Sequence, residues 1–153
     1  MLSLTLRLLT GCRPFTRRGI GFLDGHKELD AGSTFDQLEG TQHGRFFRSS
    51  MDQWLDGANG PDSRFHNFKN DSEFRELFVF KCDKHRLYGF LCHPKDDDAR
   101  FQLCILCIYA AKLKHQSDRA ELKRVDDWRK HLGARAAIAV KYPPKSKGNQ
   151  WKN

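Results

Sequence analysis

Basic and aromatic side chains gather around two stretches of the chain, and their types suit a site that handles phosphodiesters. Arg86 and Tyr88 stand two residues apart in a β-rich run, so both project from one face of a strand. Lys112, Lys114 and His115 follow a strongly apolar run. Cleavage of RNA by its own 2′-hydroxyl needs a base, a leaving-group acid and a cation at the phosphate. These residues can supply all three without a metal ion or a cofactor, and we expect neither.

Each residue of this set has a predicted role. Arg86 and Lys112 hold the phosphate, and Lys114 or His115 donates or accepts a proton. Tyr88 stacks on a base or orients it. The residues expected to bind RNA around this catalytic set are Lys81, Lys84, His85, Arg119 and Lys123. The alternative interpretation is an ordinary charged sheet edge, where lysine discourages aggregation.

The cysteines predict a reducing compartment and buried thiols. There are five, an odd number, and no clear secretory signal precedes them, so we expect reduced thiols in the cytoplasm. Cys104 and Cys107 have the spacing of half a zinc site. They lie inside an apolar run, however, and an offset of three residues puts their thiols on opposite faces of a strand. The pair is therefore predicted to be structural.

The net charge of +8 is unevenly distributed along the chain. Residues 1–20 carry four arginines and no acids, and residues 21–111 carry 11 basic and 15 acidic residues. Residues 112–153 carry 12 basic and 4 acidic residues, a net charge of +8. A one-sided basic region indicates a polyanionic partner such as nucleic acid or the ribosome. A surface kept soluble by like charge would have the same composition.

The first half of the chain predicts one strand and one long helical region. Alternating leucines in Leu2–Leu9 favour a half-buried strand, although this Arg-rich, acid-free start also suits a targeting segment or an unstructured leader. An imperfect apolar stripe predicts a helix over 34–55, which Gly40 and Gly44 could divide into two. Phe65–Phe68 reads as a loop anchored by aromatic rings.

The second half predicts an antiparallel meander followed by a helix. The runs 77–82, 86–92 and 101–109 are β-rich, and the third is apolar enough for burial on both faces. A capped amphipathic helix over 117–132 follows, and 136–140 suits an edge strand or a helical extension. The predicted class is α+β, with three to four antiparallel strands packed against two or three helices that cover one face.

Three regions follow from this order of elements. Residues 1–32 form an N-terminal strand or leader and a loop, and residues 33–141 form the α+β domain. Residues 142–153 form a basic flexible tail.

The stretch from Phe78 to Trp128 resembles the RelE/ParE superfamily of type II toxins, particularly its HigB-like, phage-derived branch. In that family a strand carries an arginine and an aromatic residue, which Arg86 and Tyr88 match. A hydrophobic strand then ends in a loop with paired lysines, which Lys112 and Lys114 match. The segments that carry the resemblance are HRLYGFLCHP, FQLCILCIYAAKLKH and the helix from Ser117.

The resemblance implies a RelE-like fold and a toxin that cleaves mRNA, with or without ribosomes, until an antitoxin protein inhibits it. We therefore expect a cytoplasmic, metal-independent endoribonuclease whose partners are an antitoxin, mRNA and the ribosome, with no membrane. Two alternatives stay open. One is a non-catalytic protein of the same fold that targets gyrase or only binds an antitoxin, and the other is an unrelated small RNA-binding protein.

Overall fold

The computed structural model describes residues 3–11, 17–113 and 116–144, and this part of the chain contains six strands and four helices. The strands are Thr5–Leu8 (β1), Arg18–Asp24 (β2), Phe65–Asn67 (β3), Leu77–Cys82 (β4), His85–Cys92 (β5) and Gln102–Ala111 (β6). The helices are Ala31–Leu38 (α1), Gln42–Leu55 (α2), Arg119–Lys130 (α3) and Leu132–Lys141 (α4). The class is α+β, as predicted.

All six described strands join one mixed sheet in the order β1-β2-β6-β5-β4-β3, so the sheet is wider than the predicted three to four strands. β4, β5 and β6 are successive antiparallel neighbours. β2 adds to the far side of β6 in parallel, with Ile20 opposite Cys104. β1 and β3 then form the two edges. The predicted boundary at residue 32 therefore separates strands that belong to the same sheet.

The helices cover both faces of the sheet, which corrects the prediction that they cover one. α1 and α2 pack on one face, with strand residues such as Phe78 and Phe80. α3 and α4 pack on the other, with Leu77 and Val79. Because both faces are buried, the central strands are almost continuously apolar rather than alternating. We call these the α1–α2 face and the α3–α4 face.

The two central cysteines lie in different cores, which confirms their predicted placement. Cys104 packs on the α1–α2 face and Cys107 on the α3–α4 face, and both are fully buried. Burial raises the pKa of both thiols, because an apolar interior disfavours the thiolate. They behave as small core residues.

A tight corner divides the predicted helix over 34–55 into α1 and α2. Gly40 has a φ of +83°, and the Thr41 hydroxyl accepts a hydrogen bond from the backbone N–H of Gly44 at 3.2 Å to cap α2. A Cβ at Gly44 would lie 2.1 Å from the carbonyl oxygen of Leu38. The corner therefore needs a glycine at 44, and it sets where α2 begins.

Three further boundaries differ from the predictions. Residues 136–140 are helical, one of the two predicted alternatives, but they belong to a separate helix, because extended backbone at His131 ends α3 and begins α4. Phe65–Asn67 is an edge strand instead of a loop, because it pairs with β4. The first strand is Thr5–Leu8, shorter than the predicted Leu2–Leu9, because the described residues 3, 4 and 9 lie outside it. Residues 1–2, 12–16 and 145–153 lie outside the described part, and with them most of the predicted basic tail.

Candidate functional site

The β4–β5 hairpin brings several predicted residues to one end of the sheet. Its loop is Asp83 and Lys84, and Asp83 adopts a φ of +56° to close it. Lys81 pairs with Arg86 across the hairpin. The backbone N–H of Lys112 donates to the carbonyl of Lys84 at 2.8 Å, so the end of β6 joins them. Because side chains alternate along a strand, successive hairpin residues point to opposite faces.

On the α3–α4 face, Tyr88 lies in the core instead of on a binding surface. Its side chain is fully buried, and its hydroxyl hydrogen-bonds to the Asp118 carboxylate. Burial, and then the bond to Asp118, raise the pKa of this phenol well above its ordinary value. Asp118 stands at the N-cap position of α3 but makes no capping bond. A base cannot stack on a covered ring, so Tyr88 anchors the start of α3 here.

Lys112 is also engaged within the protein. Its ammonium lies 2.7 Å from Oε1 of Glu121, an ion pair without hydrogen-bond geometry, and it donates to the carbonyl of Ser117 at 3.1 Å. The two side chains of the ion pair are only 15% and 11% exposed. A phosphate would have to displace Glu121 to reach this cation. Lys112 thus holds β6 to α3.

Lys81 and Arg86 form the cationic side of the hairpin. The Arg86 guanidinium donates to the carbonyls of Asp83 and His85 at 2.5 and 3.0 Å, which folds it over the turn. Burial, and then the charge of Arg86, lower the pKa of Lys81. Two like charges held this close favour binding of an anion between them.

The remaining residues predicted to bind RNA or to transfer protons differ in their exposure and contacts. Lys84 and Lys123 are exposed. Arg119 forms ion pairs with Asp71 and Glu73 at 3.2 and 3.1 Å, so the described segment before β4 holds it. The predicted proton-transfer residues Lys114 and His115 lie outside the described residues.

On the α1–α2 face, the same end of the sheet holds a second group that the sequence did not predict. Nδ1 of His85 lies 2.7 Å from the Tyr109 hydroxyl, on the neighbouring strand. The His43 ring from α2 contacts the His85 ring edge-on, with centroids 4.7 Å apart. Nε2 of His43 lies 3.8 Å from the Asp83 carboxylate. Two imidazoles and a phenol therefore meet beside the hairpin.

The electrostatics of this group keep His85 neutral near pH 7. Burial lowers the pKa of His85, and nearby His43, Lys84 and Arg86 lower it further. Burial also raises the pKa of Tyr109, as does the charge of Asp30. A neutral imidazole with Nδ1–H donating to the Tyr109 oxygen leaves the lone pair of Nε2 available as a base. A phenol that stays protonated can accept that bond and fix the ring.

Local structure explains how distant residues reach this group. The capped α1–α2 corner places His43 in the first turn of α2, above the sheet. Asp30 precedes α1, and its carboxylate accepts the backbone N–H of Tyr109 at 2.8 Å. Side chains alternate along a strand, so the sequence places His85 on the face opposite Arg86. This was the one sequence signal that could have pointed to the histidine group. Nothing local to His43 indicates its partner.

Comparison with protein-family models, with curated proteins and with solved structures gives no match. Across the described ranges, no group of three or more His, Cys, Asp or Glu side chains is placed to hold a metal ion. None of the described helices combines the length and the apolar character of a transmembrane span.

Proposed function

We propose that this protein is the toxin of a type II toxin–antitoxin system and that it cleaves mRNA without a metal ion. One observation carries the proposal: the contact between the His43 and His85 rings, with Tyr109 hydrogen-bonded to His85. Histidine is the side chain that most often transfers protons in catalysis near neutral pH, and two neighbouring imidazoles can act as a base and an acid in one reaction. The toxin class rests on the resemblance of Phe78–Trp128 to the RelE/ParE superfamily.

In this reaction each histidine makes one proton transfer. Nε2 of His85 takes the proton of the ribose 2′-hydroxyl, whose oxygen attacks phosphorus. The bond from phosphorus to the 5′-oxygen breaks, and the His43 imidazolium gives its proton to that oxygen. The products are a 2′,3′-cyclic phosphate and a 5′-hydroxyl. Tyr109 acts as a positioning residue, because it orients His85.

Cations of the hairpin supply the charge that this reaction needs. Lys84 and Arg86 both lie close enough to His85 to lower its pKa. Negative charge develops on the phosphate oxygens during attack, and fixed cations stabilise it more than they stabilise the substrate. The predicted role of Arg86 is kept, and the proton transfers predicted for Lys114 or His115 are assigned to His43 and His85.

The test is cleavage of a synthetic mRNA by the purified chain, alone and with translating ribosomes. We expect His43→Ala and His85→Ala each to lower the rate about 10²- to 10⁴-fold, the usual contribution of a general acid or base. Product ends should be a 2′,3′-cyclic phosphate and a 5′-hydroxyl. His26→Ala is a matched control, because His26 contacts Trp128 on the α3–α4 face.

Absence of cleavage in both conditions would refute the proposed chemistry, as would full activity in both histidine variants. Thermal unfolding of each variant shows whether activity is lost because the imidazole is missing or because the protein no longer folds.

A non-catalytic binding protein of the same fold is the second candidate, and the internal bonds of Tyr88 and Lys112 favour it. Both residues match the family pattern, yet both serve packing. Growth arrest on induced expression with intact mRNA would support this candidate, directed at gyrase or at an antitoxin. Salt-dependent RNA binding with neither arrest nor cleavage would instead indicate a small RNA-binding protein.

A further inference from the structure

A groove of about 770 Å³ lies at the end of the sheet opposite the hairpin. The loop that follows α2 forms one wall, and the segment that follows β3 forms the other. The rings of Trp54 and Phe65 form the floor and are 3% and 6% exposed. A Cβ at Gly60 would lie 2.5 Å from the Phe65 ring, so the first wall rests directly on the floor. The groove is thus part of the packed structure.

The lining of the groove suits a flat, uncharged ring with polar edges. Three asparagines line it, Asn59, Asn67 and Asn70. A side-chain amide offers a donor and an acceptor side by side, which is the pattern that base edges present. Surfaces for stacking are also present. These surfaces are the half-buried Arg18 guanidinium, which covers the Trp54 ring at 4.7 Å from its centroid, and the half-buried rings of His66 and Phe68, whose centroids lie 4.9 Å apart.

The charge of the groove argues against a phosphate as the occupant. Two cations, Arg18 and Lys69, and two carboxylates, Asp62 and Asp71, line it in equal number, and Asp71 also pairs with Arg119 outside the lining. Burial lowers the pKa of His66, so this imidazole is neutral near pH 7. A balanced site with aromatic and amide walls favours a neutral ring over an anion.

The groove and the histidine group lie on the same α1–α2 face of the sheet and are separated along β4. Within β4, Phe78 lines the groove and Cys82 pairs with His85. The four residue steps from Phe78 to Cys82 span about 13 Å at about 3.3 Å per residue, the length of a few nucleotides of an extended strand. Between them lies Arg64, whose guanidinium stacks 4.7 Å from the Phe46 ring. That cation suits the phosphates of the connecting backbone.

We propose that this groove binds one unstacked base of a single-stranded RNA, a few nucleotides from the phosphate at His85. The proposal rests on the proposed RNA-directed function and would make the groove a source of sequence preference. Bases in single-stranded regions are what proteins read by stacking and by hydrogen bonds to exposed edges.

The test measures binding of fully 2′-O-methylated oligoribonucleotides, which lack the attacking hydroxyl, to the whole chain by fluorescence anisotropy. One abasic nucleotide is moved along the sequence. We expect one position to weaken binding about tenfold or more, the effect of losing one stacked base. In Asn67→Ala/Asn70→Ala the penalty at this position should become smaller, because the hydrogen bonds to the base edge are lost while the stacking groups remain. Gln37→Ala, an exposed amide on α1 outside the groove, should keep it.

The outcomes separate this proposal from the proposed chemistry. A flat abasic profile, or one that the asparagine variant leaves unchanged, overturns the base subsite, and so does an absence of binding. A position-dependent profile in a protein that does not cleave RNA overturns only the chemistry. Asn70→Ala alone repeats the test if the double variant is less stable than the parent by thermal unfolding.

Discussion

Two tyrosines on neighbouring strands differ in what their hydroxyls do. Tyr88 is fully buried under α3 and bonds to Asp118, whereas Tyr109 bonds to His85 at the end of the sheet. The sequence singled out Tyr88 for its spacing from Arg86. The structure makes Tyr109 the better placed of the two for chemistry.

Replacing each tyrosine with phenylalanine should separate these roles. Tyr88→Phe leaves Asp118 without its partner and should lower the free energy of unfolding by about 1–3 kcal/mol, with cleavage by the folded fraction retained. Tyr109→Phe should change stability less and slow cleavage, because His85 loses its orientation. Urea unfolding and RNA cleavage assays on both variants check this. Equal effects of the two substitutions on cleavage would contradict the assignment.

The α1–α2 corner is the element that brings His43 to the sheet. Gly44 lies against the carbonyl of Leu38, and no side chain fits between them. Gly40, at the same corner, has a positive φ but open space around it. Position 44 therefore requires glycine, whereas position 40 accepts a residue that tolerates a positive φ.

Gly44→Ala should destabilise the protein by about 1–3 kcal/mol, because the new methyl group forces the helices apart. Cleavage should fall as well, since His43 moves with the start of α2. Gly40→Asn is the matched control, because asparagine tolerates a positive φ and nothing crowds this position. Circular dichroism during thermal unfolding, with cleavage rates below the midpoint, measures both effects. A Gly44→Ala protein as stable and active as the parent would show that the corner adapts.

At the scale of the whole molecule, two half-buried histidines couple folding to pH. Burial lowers the pKa of His66 and of His85. The unfolded chain, with histidine pKa values near 6.5, then binds more protons than the folded chain in the range just below that pH. Folding is therefore opposed as these side chains become charged.

The free energy of unfolding should fall as pH decreases below about 6.5 and level off once both folded-state groups are protonated. His66→Gln/His85→Gln should flatten this dependence, and each single variant should remove part of it. Urea titrations between pH 5 and 8 measure the slope. An unchanged slope in the double variant would assign the proton uptake to other groups.

The sequence predicted features that depend on a single strand or helix. It did not predict contacts that depend on how two elements pack together. The period of β5 placed Arg86 and Tyr88 on one face, and the apolar β6 was expected to be buried on both. The docking of α3 on the sheet decides two further facts. It covers the face that carries Arg86 and Tyr88, and it brings Glu121 to Lys112. The meeting of His43 and His85 likewise depends on the packing of α2, which no local pattern specifies.

The position of β6 has a consequence for the order in which the chain is made. β6 is the last described strand to be synthesised, yet it lies between β2 and β5. Until residue 111 has left the ribosome, β2 and β5 have no common neighbour, and Tyr109 has not joined His85. Contacts between such distant segments form late and slowly. A nascent chain would therefore acquire its histidine–tyrosine group only after β6 has left the ribosome.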